Sequence, residues 1–278
     1  MRLPPRTVQT LMKTLLWALT GFTLLILVFI ILDIFIKGLP QVTFGFLVHE
    51  PQDMGRHGGI FSTIVATAYI TFLAIVLAAP FGVGTAIYLT EYTREGWTTR
   101  IIRFGAECLA GVPSIILGLF GFVLFVMKLG FGWSVLSGAL TLGIMVLPII
   151  IRTSEEAIKA VPQEYRQVCF SLGMSQWQAV THIVLPAALP GITTGIMLSV
   201  GRSLGETAVL LFTAGAALRT PVTLFDSGRT MAVHFYILAR EGLSMPNAYG
   251  TAAVLVISIL AINLAAYTMM HRLMKKYS

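Results

Sequence analysis

The stretch RTSEEAIKAVPQEYRQVCFSLGMSQWQAVTHIVLPAALP, residues 152–190, is the longest polar interruption between the apolar segments of this chain. The apolar segment that follows it contains GRSLGETA, residues 201–208, and so carries two charges, Arg202 and Glu206, far from any loop. A long, patterned connector between two apolar segments is typical of a surface that another protein recognises. We therefore expect residues 152–190 to bind a partner and the two charges to have a separate role.

The composition is that of an integral membrane protein. Of the 278 residues, 56% are hydrophobic and only 11% are charged, with a mean hydropathy of +0.84. About a quarter of the residues of a soluble domain are charged, and a soluble chain of this size would leave much of this apolar surface in water. The net charge of +7 is dispersed in short clusters, which argues against a nucleic-acid partner. Cys108 and Cys169 do not have the spacing of metal ligands.

Six apolar segments are long enough to cross a bilayer of lipid. They are residues 15–36, 60–89, 101–127, 133–151, 191–214 and 249–270. The second segment is longer than a span requires, so we expect it to tilt, to kink at Pro80 or to protrude, and Pro113 with its neighbouring glycines predicts a break or close packing in the third. The sequence therefore predicts an all-α polytopic membrane protein with six transmembrane helices.

The distribution of basic residues predicts the orientation. Six spans place both termini on one side, which carries twelve Lys and Arg residues against six on the other. By the positive-inside tendency, the termini and the connector are cytoplasmic. Residues 1–59 then form a first transmembrane helix and a periplasmic loop, and residues 60–278 form a transmembrane core with a cytoplasmic coupling loop at 152–190.

Local signals predict two short helices in the connector. Leu172 and Gly173 are typical of a helix end, and Ser175 is typical of a new N-cap. We expect the second helix to run over residues 176–185 and to end before Pro186. Four side chains, those of Val168, Phe170, Leu172 and Trp177, would give this projection an apolar face that fits a groove on a partner.

At these positions the connector resembles the membrane subunits of ABC importers. Their signature is E-A-A, three residues, a glycine, nine residues and then I-x-L-P. Gly173, Ile183, Leu185 and Pro186 match it in register, whereas Gln167, Val168 and Cys169 stand at the E-A-A positions. The resemblance implies coupling to an ATPase through Gln167, Gly173, Ile183, Leu185 and Pro186. It also implies the architecture of a type I (MetI-like) importer permease.

Three further stretches look like the permease of phosphate-specific importers, of the PstA rather than the PstC type. They are APFGVGTAIYLTEY (79–92), VPSIILGLFG (112–121) and RSLGETAVLLFTAG (202–215). The resemblance implies a bacterial inner-membrane location and three partners. These are a homologous PstC-type permease subunit, a PstB-type ATPase dimer that binds ATP and magnesium, and a PstS-type periplasmic phosphate-binding protein.

The residues agree with a subunit that performs no catalysis and holds no cofactor itself. The chain contains no Gly-Lys dipeptide, and so it cannot form the G-x-x-x-x-G-K-[ST] loop that cradles ATP phosphates. Energy for transport must then come from another chain or from an ion gradient.

Arg202 and Glu206 are the candidate substrate contacts. Their spacing of four would place them on one face of a helix, and each costs about 2.5 to 3.5 kcal/mol at mid-bilayer unless it faces protein or water. A guanidinium binds an oxyanion bidentately, and a nearby carboxylate would weaken the binding enough for release. We expect Arg152 on the same route, with Ser114 and Thr207 as neutral donors. Alternatively, Arg202 and Glu206 form a structural ion pair between subunits, and Arg152 only flanks a span.

Other functions remain as alternatives. The residues indicate an oxyanion, which includes sulfate, molybdate and phosphonate. A proton-coupled secondary transporter could use Asp33, Glu107 and Glu206 as proton carriers, and a pure assembly scaffold would make no use of Arg202. Residues 201–205 also match G-x-S-x-G, the nucleophile elbow of serine hydrolases, but that motif needs a strand before Ser203 and none is predicted here.

Overall fold

The computed structural model describes the backbone of residues 5–94 and 96–277, and this part of the chain is almost entirely helical. Arg2, one of the cations counted for the orientation, lies outside it. The helices are α1 (Pro5–Gly38), α2 (Phe44–Val48), α3 (Phe61–Ile87), α4 (Trp97–Gly111), α5 (Ser114–Gly121), α6 (Val135–Lys159), α7 (Gln163–Ser171), α8 (Gln176–Ala179), α9 (Leu185–Leu204), α10 (Ala208–Thr213), α11 (Met231–Arg240) and α12 (Met245–Tyr277).

Short elements complete this list. Two strands of two residues each, β1 (Pro51–Gln52) and β2 (His57–Gly58), pair antiparallel with Pro51 opposite Gly58. A 3-10 turn, Leu39–Gln41, follows α1, and a second one, Asp53–Gly55, connects the strands. Three π-helical turns extend or join the longer helices, and they are Tyr88–Tyr92 after α3, Phe122–Lys128 after α5 and Val180–Val184 between α8 and α9.

The described residues contain five helical segments that are long and apolar enough to cross a bilayer. They are Gln9–Gln41, Phe61–Tyr92, Val135–Lys159, Gln176–Leu204 and Met245–Thr268. A sixth crossing is available if Trp97–Gly111 and Ser114–Lys128 act together as one broken span. The prediction of an all-α membrane protein is confirmed.

The third predicted span is broken rather than continuous. Its two halves, α4 and the segment that begins at α5, meet at an angle of 102°. The break lies at Val112 and Pro113, which both have extended backbone angles (ψ of 129° and 137°). Proline disfavours the helical conformation in the residue before it and has no N–H to continue the hydrogen-bond ladder. The break has the local cause that the sequence indicated.

The fifth predicted span, residues 191–214, is wrong at both ends. The helical segment already begins at Gln176 and continues through Pro186 and Pro190 to Leu204. The helix therefore does not end before Pro186. The π-helical turn Val180–Val184 comes directly before that proline and has already shifted the hydrogen-bond pattern, which lets the chain accommodate the missing N–H.

The helices also reach further into the connector than predicted. Residues 152–159 are the last two turns of α6, and residues 176–190 belong to the segment that leads into α9. The part that projects is therefore residues 160–175, which contain α7 and its flanking turns. We call residues 160–179, which contain α7, α8 and the turns around them, the elbow, the end of the molecule that carries them the elbow face, and the other end the far face.

Helices α3, α6 and α9 form the centre of the bundle, and small residues allow their close approach. A Cβ atom on Gly82 of α3 would lie 2.6 Å from Cγ2 of Ile150 on α6. On α9, Gly191 packs against Ala157 and Gly195 against Thr153, so this G-x-x-x-G pair allows tight helix packing. Gly205 has open space around it and does not take part in such packing.

Candidate functional site

Arg202 and Glu206 lie on either side of a break in the helix. Helix α9 ends at Leu204, Gly205 has non-helical angles (φ −90°, ψ 0°), and α10 begins at Ala208. The expectation that the two charges share one helical face is therefore wrong. The break falls in the most polar part of this apolar segment, R-S-L-G-E-T at residues 202–207.

The two side chains have different surroundings. Glu206 is buried, with 8% of its surface exposed, and its Oε1 accepts a hydrogen bond of 3.4 Å from the backbone N–H of Val209 at the start of α10. A carboxylate at this position is stabilised by the helix dipole. Arg202 is exposed and has no hydrogen-bond or ion-pair partner among the side chains that the structure describes. An unpaired guanidinium therefore stands beside the break.

The packing of α9 on α6 gives the depth of Arg202. Gly191 contacts Ala157, which lies two residues before the end of α6 at the elbow face. Arg202 follows Gly191 by eleven residues, or about 16 Å along a helix. The hydrocarbon core of a bilayer is about 30 Å thick, so Arg202 lies about half that thickness away from the elbow-face end of α6.

Ser114 and Thr207 lie at the starts of two helices that pack against each other. Ser114 is the first residue of α5, and Thr207 directly precedes α10. The helices touch where a Cβ atom on Gly118 would lie 3.1 Å from both the carbonyl oxygen of Ala208 and Cα of Val209. Both hydroxyl-bearing residues are partly buried. The break at Gly205 and the break at Pro113 thus lie in neighbouring parts of the bundle.

Arg152 lies apart from this group. It is exposed on α6, where its Nε is 3.4 Å from Oε1 of Glu156, and it lines a cavity of about 350 Å³ between α4 and α6. Beside it, the buried carboxylate of Glu155 is held by Arg103 at 2.7 Å and Lys159 at 2.6 Å. The residues that line this cavity do not include Arg202, Glu206, Ser114 or Thr207. Within the described part of this chain, the expected sites do not share one cavity.

The elbow has the conformation that its sequence predicts. Gly173 has a φ of +80°, its N–H donates to the carbonyl of Phe170, and the N–H of Met174 donates to the carbonyl of Cys169. These two bonds form a Schellman cap. Ser175 then begins α8 with a capping box in which its side chain and that of Gln178 each accept the other's backbone N–H.

The elbow also presents an apolar surface. Leu172 is 76% exposed, and Val168, Phe170 and Trp177 are exposed around it. Gln167 is exposed on the same helix, whereas Ile183, Leu185 and Pro186 are partly buried where α9 begins. Leu185 packs against the cluster that contains Ile158 and Val184. The signature residues therefore fall into two groups. Gln167 and Gly173 are exposed on the elbow, and Ile183, Leu185 and Pro186 pack where α9 begins.

Gly173→Ala is expected to destabilise the elbow by about 1 to 2 kcal/mol, because only glycine adopts a left-handed φ without strain. Thermal unfolding of the purified protein measures this loss. Gly105→Ala in α4 is the matched control, since a Cβ at either position would meet no atom within 4 Å and only Gly173 has a positive φ. Equal unfolding midpoints for the two variants would contradict the assignment of strain to the elbow.

An ion pair at the base of the elbow was not predicted from the sequence. Glu91, in the π-helical turn after α3, and Arg166, in α7, are 75 positions apart and form a contact of 2.6 Å. Both are largely buried, with 8% and 17% of their side chains exposed. The two residues belong to separate stretches of the sequence, and only the fold brings them together.

A second group of residues that the sequence did not predict lies at the far face. His234 of α11 is buried, its Nδ1 is 3.5 Å from Nη1 of Arg229, and Gly55, with a φ of +96°, packs against its ring. Burial, and to a lesser extent the Arg229 guanidinium, lower the pKa of His234 to about 4. The histidine is therefore neutral in the folded protein at pH values above this.

This arrangement predicts a loss of stability in acid. The ordinary pKa of histidine is about 6.5, so between about pH 6.5 and pH 4 the unfolded chain binds more protons, and the free energy of unfolding falls by about 1.4 kcal/mol per pH unit. The unfolding midpoint of a His234→Gln variant should depend less on pH in this range than that of wild type. The exposed His57→Gln variant should keep the wild-type dependence, and a His234→Gln variant that also keeps it would contradict the prediction.

Two alternative sites are not supported by their surroundings. Ser203 lies in the last turn of α9 with 1% of its surface exposed, and its hydroxyl donates to the carbonyl of Ser199 at 2.8 Å. The hydroxyl of Ser203 is therefore hydrogen-bonded within its own helix, and the strand that a nucleophile elbow needs does not precede it. Asp33 forms an ion pair of 2.6 Å with Lys37 one turn along α1. Glu107 is exposed at the cavity that contains Arg152.

Comparison with solved structures identifies the fold. The chain resembles a chain in the crystal structure of a bacterial alginate ABC transporter in complex with an alginate pentasaccharide-bound periplasmic protein. The TM-score is 0.70, the match covers 96% of each chain, and the identity is 15%. It also resembles a chain of the inward-facing MetNI methionine ABC transporter, with a TM-score of 0.62. That match covers 77% of this chain and 94% of the other, at 19% identity. The MetI-like architecture that the sequence implied is confirmed.

Comparison of sequences identifies the family. The chain is 36% identical to the probable ABC transporter permease protein YqgI of Bacillus subtilis over 84% of this chain and 85% of that protein. It is 32% identical to the phosphate transport system permease protein PstA of Yersinia pestis, over 90% and 85% of the two chains. Residues 78–278 match the family model of the binding-protein-dependent transport system inner membrane component. The chain is therefore a multi-pass membrane protein that belongs to this family, a transport subunit rather than a catalytic one.

Proposed function

We propose that this chain is the permease subunit of an ATP-driven importer that moves inorganic phosphate across the bacterial cytoplasmic membrane by alternating access. The observation that carries the proposal is the unpaired Arg202 beside the break at Gly205, one α9 length away from the elbow face. Several relatives named as phosphate transport permeases, with 32% to 39% identity, support phosphate as the substrate.

The chemistry of the break suits an oxyanion in transit. A guanidinium offers a planar fork of donors to phosphate, stays ionised, and loses its hydration more readily than an ammonium group does. The carboxylate of Glu206 is already bound to the start of α10, which leaves Arg202 free to bind the anion. Its negative charge nearby weakens that binding, so phosphate can be released. Ser114 and Thr207 are neutral donors at the neighbouring helix starts.

Arg152 acts at a later point on the same route. It lines the cavity that lies toward the elbow face, together with Arg103 and Lys159. Glu155 and Glu156 partly neutralise these cations, so the cavity attracts an anion without a strong binding site. In this proposal, phosphate passes Arg202 first and leaves past Arg152.

The elbow face is cytoplasmic in this proposal, as are both termini, and the coupling loop binds the ATPase. The count of basic residues supports this orientation. The partners are a PstC-type permease, a PstB-type ATPase dimer and a PstS-type phosphate-binding protein. The loops at residues 37–59 and 216–248 contact the binding protein. Closure of the ATPase dimer moves the elbow, and α6 and α9 carry the motion to the break beside Arg202.

Competition for uptake tests the substrate. Vesicles that contain the assembled complex are given labelled phosphate with a hundredfold excess of sulfate, molybdate, phosphonate or unlabelled phosphate. We expect only unlabelled phosphate to abolish the uptake of label. Equal inhibition by sulfate or molybdate, or transport of labelled sulfate at the rate of phosphate, would assign the chain to another oxyanion.

A further inference from the structure

The Glu91–Arg166 pair joins the elbow to a helix that the covalent chain does not connect to it. Nε of Arg166 lies 3.1 and 3.2 Å from the two carboxylate oxygens of Glu91, and Nη2 lies 2.6 Å from Oε1. The guanidinium therefore holds the carboxylate through two of its nitrogens. Such bidentate contacts fix orientation as well as distance.

The same guanidinium also caps the C-terminal end of α6. Its Nη1 donates to the carbonyl of Val161 at 2.8 Å, and its Nη2 donates to the carbonyl of Ile158 at 3.0 Å. These carbonyls belong to the last turn of α6 and the turn after it, where the helix itself supplies no donors. Arg166 thus contacts the ends of α3 and α6 with one rigid group.

Glu91 contacts the other side of the elbow through its backbone. Its carbonyl oxygen accepts a hydrogen bond from the side-chain amide of Gln176, in the first turn of α8. Arg166 and Gln176 lie on opposite sides of Gly173, in α7 and α8. One residue at the end of α3 therefore holds both arms of the elbow, and the arms cannot rotate about Gly173 without disturbing it.

The covalent chain ties the elbow to α6 and to the segment that leads into α9, but not to α3. Helix α3 packs closely along α6 from Ala74 beside Gly143 to Gly82 beside Ile150. A motion of the elbow that α3 did not follow would have to slide these closely packed surfaces past each other. The ion pair adds a second link, because it ties the end of α3 directly to the elbow.

We propose that Glu91 and Arg166 are positioning residues that make α3, α6 and the elbow move as one body during transport. The inference rests on the proposed function, in which an ATPase moves the elbow. Neither residue touches the substrate in this account. Loss of the pair leaves the ATPase able to bind the elbow and hydrolyse ATP, but the motion no longer reaches α3 in full.

The test compares Glu91→Gln and Arg166→Lys with wild type in the reconstituted complex. Glu91→Gln removes the charge and keeps the backbone contact to Gln176, and Arg166→Lys keeps the charge and removes the fork. Both should assemble, and both should hydrolyse ATP in the absence of binding protein within about twofold of wild type, while the phosphate moved per ATP falls about tenfold. Glu164→Gln, the same change at an exposed site on α7, should match wild type in both rates.

The outcomes separate this inference from the proposed function. If wild type moves no phosphate at the expense of ATP, the proposed function itself has failed. If wild type moves phosphate and both variants keep its ratio of phosphate to ATP, the positioning role is overturned. It is also overturned if transport and hydrolysis fall together with the amount of assembled complex, since that result assigns the pair to stability alone.

Discussion

An Arg202→Gln variant is expected to take up phosphate at least about 100-fold more slowly than wild type, because the guanidinium supplies two charge-assisted hydrogen bonds to the anion and glutamine supplies neither charge nor fork. The side chain has no described partner in its own chain, so its removal should leave the fold intact. Arg202→Lys keeps the charge and should retain part of the activity. The measurement is the initial rate of labelled-phosphate uptake by vesicles that contain equal amounts of complex.

The control for this prediction is Arg100→Gln. Arg100 is exposed on α4 and does not line the cavity that contains Arg152, so the same substitution there should change uptake little. Wild-type uptake by a fully assembled Arg202→Gln complex would remove the substrate role of Arg202. An Arg202→Gln chain that no longer assembles with a second permease would instead support the alternative of an ion pair between subunits.

Leu172→Asp is expected to weaken the binding of the ATPase about 100-fold or more. Leu172 is the most exposed of the apolar side chains on the elbow, at 76%, and it stands at the C-cap next to Gly173. A carboxylate buried against an apolar groove loses its hydration without gaining a partner, which costs several kcal/mol. The measurement is the amount of ATPase that purifies with the permease, together with ATP hydrolysis by the complex.

Gln163→Asp is the matched control on the same element. Gln163 is the first residue of α7 and is exposed, and an aspartate in the first turn of a helix is favoured by the helix dipole. This variant should bind the ATPase as wild type does. Full ATPase binding by Leu172→Asp would show that the elbow is not the contact surface.

Features with a local cause could be predicted from the sequence. Hydropathy located the spans, since about 20 apolar residues are needed to cross a bilayer whatever the fold. Gly173 and Ser175 predicted the cap and the new helix start, because a left-handed φ and a capping box depend on a few adjacent residues. Pro113 predicted the break between α4 and α5 for the same reason.

Features that depend on packing could not be predicted. The break at Gly205 lies within a segment that was predicted as one continuous span, and a buried carboxylate that binds the start of α10 accompanies it. Pro186 is a helix breaker in most contexts, yet here the π-helical turn before it lets the helix continue. The Glu91–Arg166 pair joins residues that no motif relates. The first two are local structures that hydropathy and a proline leave open, and only the ion pair is decided by a tertiary contact.

The source of energy for uptake tests the central claim most directly, since the elbow is proposed to receive work from an ATPase. Vesicles that contain this chain and its three proposed partners are supplied with labelled phosphate and with ATP either inside or outside. Vanadate or an ionophore is then added in separate experiments. We predict that phosphate accumulates against its gradient only with ATP on the elbow side, that vanadate stops it, and that an ionophore which collapses the membrane potential does not. Uptake that stops with the ionophore and continues without ATP would contradict the account and favour a proton-coupled transporter.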